Sequence, residues 1–288
     1  MKLAPYSDLW PKLFENEARQ LREMLGDNGI AVHHVGSTAV PDLIAKPKID
    51  MLAVVKTPLT SHALEALGYT YQGEYNIPLH GGFRKRARHD FNLHVYEEGH
   101  PEIALNLIFR DTLRRDTATR ESYAALKQQL AEEESAWTKT TGPFMNYTLR
   151  KGTFIRQVLQ DMGFVRSRVI RCTDESEWQA VQTLQESVHV PPALRLTTQP
   201  ALDNTKEALL MVYRGGLAVG FAHVLFAPIN NDPWTNVPAG MVWPANNGLH
   251  LKTVVLKPES TPAPTWQSLH VWHDCIRWLD KWRPRRES

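Results

Sequence analysis

At 288 residues, with 42% hydrophobic and 22% charged side chains and a formal net charge of +2 at pH 7, the chain reads as a globular protein of two domains, with too little excess charge to demand a nucleic-acid partner. Two cysteines, Cys172 and Cys275, exclude a disulfide framework and a cysteine-only metal cluster and suggest a reducing compartment. No run approaches the roughly 20 apolar residues of a membrane span, and no basic-apolar-small leader opens the chain, so the expected location is the cytoplasm, away from membranes.

In chain order, Leu9, Trp10, Leu13, Phe14, Ala18, Leu21 and Leu25 recur at helical spacing, which predicts an amphipathic helix capped by Ser7 or Asp8 and closed near Gly26. Ile30 to Val35 and Lys48 to Val55 read as strands, and Thr60 to Leu67 as a short helix stopped by Gly68. Tyr69 to Gly82 is rich in Tyr, Gly and Pro without a helical period, and is read as strand and loop. Phe83 to Arg86 and Asp90 to Tyr96 are two further strands. On the second, Asp90, Asn92 and His94 alternate with Phe91, Leu93 and Val95, so the two sets face opposite ways. Pro101 to Leu113, Ala118 to Trp137 and Tyr147 to Met162 carry helical patterns, the last ended by Gly163.

The stretch His34-Val35-Gly36-Ser37-Thr38-Ala39-Val40-Pro41, followed by Lys46-Pro47-Lys48-Ile49-Asp50, predicts a strand, a tight Gly-Ser turn, a short turn or helix, and a second strand with one carboxylate near its start. A glycine at such a turn lets backbone N–H groups approach an anion, and the Ser37 hydroxyl adds a donor. Lys46 and Lys48 supply positive charge beside it. Asp50 reads either as a ligand for a hard cation such as Mg²⁺ or as a residue that hydrogen-bonds the turn. His94 reads either as a buried, hydrogen-bonded histidine or as a functional imidazole converging on Asp50. Arg110, Asp111 and Arg114 either line a phosphate site or pair with one another on a helix surface.

The string from His34 to Asp50 resembles the signature of the GrpB family, whose members adopt a nucleotidyltransferase-like fold. The resemblance extends through Tyr6 to Phe14, Leu93-His94-Val95, Phe109 to Arg114, Tyr123 to Lys127, and Tyr147 through Lys151 to Ile155, and so covers about residues 1–163. It implies an α/β (α+β) fold with a mixed sheet and flanking helices. The site residues it implies are Asp50 and His94 as catalytic groups, Asp50 as a metal ligand, and Gly36, Ser37, Thr38, Lys46, Lys48, Arg84, Arg110 and Lys151 around a phosphate. The usual arrangement in that fold is Asp-x-Asp, whose earlier member here is Lys48, and the first His of the family's His-Leu-His-Val string is Asn92.

From Phe164 the pattern changes. Val165 to Arg171 alternates as a strand, and Asp174 to Val188 is a helix capped by Thr173. Ala208 to Tyr213 and Leu217 to Phe226 form a hairpin around Arg214-Gly215-Gly216, Leu249 to Leu256 is another strand, and Trp266 to Trp282 a last helix. This order, with the runs Gly216 to Ala222 and His250 to Pro258, resembles the first part of a GNAT acetyltransferase, a smaller α/β domain over residues 164–288 that is truncated relative to that family. The resemblance implies acetyl-CoA held by a Gly-rich loop. Here that loop is Glu259 to Thr265, where Pro262 and Pro264 each lack an N–H to donate. The expectation is therefore that acetyl-CoA is not bound in the manner of an intact acetyltransferase.

The basic runs Arg84-Lys85-Arg86 and Arg283 to Arg286 are read as solvated surface, and the tryptophans of 266–282 as packing or an interface. No Gly-x-Ser-x-Gly elbow, Walker A loop or zinc-ligand spacing occurs. The leading expectation is a GrpB-like protein that binds or transforms a nucleotide or other phosphorylated small molecule at a degenerate nucleotidyltransferase site, with Mg²⁺ as the only metal in view. Acyl transfer from acyl-CoA by the second half and non-catalytic ligand binding are the alternatives. Neither the substrate nor the oligomeric state is specified by the sequence.

Overall fold

The computed structural model describes residues 3–133, 146–173, 175–187, 192, 195–200, 207–226 and 249–256. These fall into two compact units: one holds the described residues up to Phe164 except Asn76–Pro78, and the other holds Asn76–Pro78 and those from Val165 onward. The architecture is mixed α/β, with a mixed sheet and flanking helices in the first unit. No helix among the described residues is long and apolar enough to cross a membrane.

The first unit opens with helix α1 (Leu9–Leu25). Its buried stripe is Trp10, Phe14, Ala18, Leu21 and Leu25, the three-and-four spacing that puts side chains on one face. Ser7 Oγ accepts from the N–H of Leu9 at 3.3 Å, and Gly26 closes the helix at φ 49°, a conformation that favours glycine. Strands β1 (Gly29–Val35), β2 (Lys48–Val55), β3 (Thr70–Gly73), β4 (Gly81–Arg86) and β5 (Asp90–Glu97) form one sheet in the order β1-β2-β5-β4-β3. All its pairs are antiparallel except the central β2–β5, which is parallel. Helices α2 (Pro101–Arg115), α3 (Thr117–Glu132), α4 (Asn146–Leu149) and α5 (Gly152–Asp161) come next in the chain.

The core lies between α1 and one face of this sheet, where Ile49, Met51, Ala53, Val55, Phe83, Phe91, Leu93 and Val95 meet the α1 stripe. One charge sits inside that stripe. Glu17 is 5% exposed and accepts from Lys85 Nζ at 2.7 Å, so the buried carboxylate is paired rather than stranded.

Three expected helices differ. The Thr60–Leu67 segment is turns ending in a three-residue 3₁₀ helix, Glu65–Leu67, because so short a stretch cannot offset the cost of nucleating an α-helix. Gly68 still closes it, at φ 80°. The single helix expected over Tyr147–Met162 is two, α4 and α5, broken at Arg150 and Lys151 just before Gly152, a poor helix former. Asp116 Oδ1 accepts from the N–H groups of Ala118 and Thr119 and so starts α3. That helix, expected to run to Trp137, ends at Glu132, because Glu133 leaves the helical conformation at φ −82°, ψ 122°.

In the second unit, β6 (Ser167–Arg171), α6 (Glu175–Ser187), β7 (Glu207–Arg214), β8 (Leu217–Phe226) and β9 (Leu249–Leu256) build a four-stranded antiparallel sheet in sequence order beside α6. Val181 and Leu184 of α6 pack with Leu209, Met211 and Phe221. The β7–β8 hairpin turns through Gly215 at φ 60°. The Glu259–Thr265 loop on which the acetyl-CoA expectation rests, the last helix over 266–282, and Cys275 all lie outside the described residues.

Candidate functional site

The face of the first sheet turned away from α1 is built by register. Asp50 pairs with Val35 on one side and Asn92 on the other, Leu52 pairs with His94, and His94 in turn pairs with Gly82. Paired residues on neighbouring strands share a face, so Lys48, Asp50, Asn92, His94 and Arg84 project together, while their neighbours Ile49, Met51, Leu93 and Phe83 enter the core. Asp50 and His94 lie on the same side of the sheet. Asn92 Nδ2 donates to Asp50 Oδ1 at 2.8 Å, which orients the carboxylate and uses part of its accepting capacity.

The Gly36 turn shapes the end of this face. Gly36 has φ 70°, and a Cβ added there would lie 2.7 Å from Asp50 Oδ2. The glycine is therefore required twice, for its backbone conformation and for the approach of the carboxylate. The chain then makes a single 3₁₀ turn, Ser37–Ala39, in which the N–H groups of Ala39 and Val40 bond to the carbonyls of Gly36 and Ser37 at 3.2 Å each. The short turn or helix expected here is thus a 3₁₀ turn, which uses those two donors internally. Thr38 also turns inward. It is 1% exposed, its Oγ1 donates to Lys48 O at 3.3 Å, and it lies 3.1 Å from His34 Nε2. Because the Thr38 proton goes to a carbonyl, His34 Nε2–H is the donor to Thr38. Burial pushes the His34 imidazole down to about 4, so the ring is neutral, stacked on Phe14 at 4.8 Å. The Thr38 side chain is thus a brace between the turn and β2.

Beyond the turn stand four lysines. Lys46 Nζ lies 3.9 Å from the centroid of the Tyr147 ring and Lys151 Nζ 4.6 Å from it, so one aromatic ring holds two ammonium groups. Lys127, only 2% exposed, donates to the Ile44 carbonyl. Burial lowers Lys46 and Lys151 to about 8 and Lys127 to about 7. Their mutual repulsion adds to this. Lys48 acts on Lys46 and Lys151, Lys46 acts on Lys127 and Lys151, and Asp50 is the opposing charge on all three. A group of like charges around one carboxylate attracts an anion with several oxygens.

At the other end, His94 Nδ1 is 3.0 Å from His80 Nε2, and burial holds both imidazoles below the ordinary range. Arg84 is exposed on the same face. Arg110 serves the scaffold: its Nη1 donates to His34 O at 3.0 Å and its Nε to Asp111 Oδ1 at 2.8 Å. Arg114 Nε likewise bonds Ala39 O at 2.9 Å. Both arginines tie α2 to β1 and the Ser37–Ala39 turn.

Three residues of this arrangement were not picked out as site residues in the sequence. Lys127 follows Tyr123 by four and precedes Leu130 by three, all three buried in α3, and a lysine in such a stripe was the available signal. Tyr147 was a motif residue without an assigned role. His80 lies in a loop without periodicity and gave no signal. A divalent metal here would have to draw most of its ligands from a bound phosphate and water. Asp50 is one carboxylate already bonded to Asn92, lysines surround it, and no group of three His, Cys, Asp or Glu among the described residues could hold a metal ion.

A family model described as GrpB protein matches residues 1–161. A UPF0157 protein of Halalkalibacterium halodurans is 37% identical over 162 residues, 55% of this chain and 80% of that one. Among solved structures, the conserved protein GrpB from Enterococcus faecalis is 32% identical with a TM-score of 0.48, covering 56% of this chain and 96% of that one. The Cid1 poly(U) polymerase with Mg and 3'-dATP bound is 13% identical with a TM-score of 0.37, covering 52% of this chain and 50% of that one.

Proposed function

Because this chain belongs to the GrpB family, we propose that its first unit binds a phosphorylated small molecule, a nucleotide included, in a pocket that resembles a degenerate nucleotidyltransferase site. One observation carries this reading: Lys46, Lys127 and Lys151 crowd one another beside Tyr147 and the single carboxylate Asp50. Burying ammonium groups together costs folding free energy, and a bound phosphate offsets that cost with its negative charge. Ser37 and Arg84 stand at the margin, and His94 is the group available to accept a proton from the ligand.

In this pocket the lysines take the part that a divalent cation plays in a two-carboxylate site, which is to neutralise the phosphate oxygens. Binding then has no absolute need for Mg²⁺. Calorimetric titration of adenine and uridine nucleotides, with and without chelator, tests the reading. Affinity is expected to survive chelation and to fall by about 10- to 100-fold in Lys151→Met, the loss of one charge-assisted hydrogen bond. Binding that disappears with chelation would restore a metal-dependent site and defeat the proposal.

A further inference from the structure

The hydrogen bonds behind His94 have a direction. His80 Nδ1 lies 3.2 Å from the backbone carbonyl of Glu74, and a carbonyl only accepts, so Nδ1 carries the proton. A neutral His80 then has its lone pair on Nε2, which faces His94 Nδ1 at 3.0 Å. His94 must donate that bond, which leaves the lone pair on its own Nε2. Protonating His80 would reverse the second bond, but the ring is 2% exposed and burial opposes its charge. The loop is shaped for this chain of bonds. Glu74 Oε1 accepts from the N–H of Leu79 at 3.0 Å, and a Cβ on Gly82, the register partner of His94, would lie 3.3 Å from His80 Cε1 and 2.7 Å from Tyr75 Cε2. The Tyr96 ring stacks on His80 at 4.9 Å.

We propose that His80 is a positioning residue that fixes His94 as the Nδ1–H tautomer, so that Nε2 accepts a ligand hydroxyl, and that the ligand is accordingly a hydroxyl-bearing phosphate ester. The ligand half rests on the phosphate-binding function proposed for this pocket. His94 shares its face with Lys48 and Asp50, and these two exert the largest charge effects on its ring, in opposite directions. A donor that is itself cationic is repelled by the neighbouring lysines, whereas an alcohol is not. Phosphate at the lysines and a hydroxyl at His94 are therefore two ends of one ligand.

Nitrogen-15 imidazole spectra of the full chain test the tautomer without any ligand. The expected result is a pyridine-type Nε2 and a pyrrole-type Nδ1 for His94, kept in His80→Gln, whose amide oxygen still accepts, and lost in His80→Phe. A pyrrole-type Nε2 in the unsubstituted protein overturns the positioning role. Glycerol 3-phosphate and propyl phosphate then test the ligand class. The hydroxylated ester is expected to bind about tenfold more tightly, with the difference abolished in His80→Phe and kept in His80→Gln. Equal affinities in the unsubstituted protein overturn the hydroxyl contact. If neither ester binds, the phosphate reading and the ligand class both fail, while the spectra still decide the tautomer.

Discussion

Lys127→Met should make the protein more stable and less able to bind. An ammonium whose affinity for its proton falls from 10.5 to about 7 on folding is penalised, at about 1.36 kcal/mol per pH unit, by ~5 kcal/mol. Methionine fills similar volume without that penalty but leaves the Ile44 carbonyl without its donor, at about 1–3 kcal/mol. The net gain near neutral pH is about 2–4 kcal/mol, which for a unit of this size corresponds to several degrees in Tm. The sign also fixes a pH dependence. Between about 7 and 10.5 the unfolded chain holds the proton that the folded one releases, so this group makes stability rise with pH across that window, and below it the penalty is constant. Differential scanning calorimetry of both proteins at pH 7 and pH 9.5, with nucleotide titrations alongside, gives the answer. A variant that melts lower and binds unchanged would mean that Lys127 is a structural donor and that its charge is not held for a ligand.

Gly36→Ala places a methyl group 2.7 Å from Asp50 Oδ2 at φ 70° and should cost about 1–3 kcal/mol or more; urea denaturation that matches the unsubstituted protein would show the turn to be tolerant. His34 binds its proton at about 4 when folded against 6.5 unfolded. Its contribution is intact above 6.5 and is lost as pH falls toward 4, by up to about 3 kcal/mol, with His80 and His94 acting in the same direction. Denaturation midpoints at pH 7 and pH 4.5 should accordingly converge in His34→Gln relative to the unsubstituted protein, and equal slopes would contradict a neutral buried ring.

Much of this face was legible because it is written in two-residue alternation. Asp90, Asn92 and His94 were separated from Phe91, Leu93 and Val95 by pattern alone, and the parallel register then set Asp50 beside Asn92. The Gly36 turn was legible as a turn or short helix but not in its length, since the number of residues in a helical turn is decided by what packs around it. Lys127 was harder, because a lysine in a polar helix is normally solvated, and only the docking of α3 against Ile44 buries it. His80 depends on a loop folding back over β4 to reach His94. Arg110 carried both of its readings until the structure placed its guanidinium on the His34 carbonyl and Asp111.

The hydrogen bond between Asn92 and Asp50 joins residues 42 positions apart across the one parallel pair of the sheet, and that spacing affects how the molecule comes into being. Chain closure over such a distance must precede any reward from the contact, so parallel pairs of this kind form slowly. The β3–β4 segment must also be seated beside β5 before His80 can meet His94. Lys127 and Lys151 arrive from still later in the chain. A partly folded chain therefore has the lysines without the carboxylate, or the carboxylate without the histidine pair. On the phosphate-binding function proposed above, ligand capture would report completion of this unit's folding, and a refolding assay that tracks nucleotide binding should show it lagging behind recovery of secondary structure.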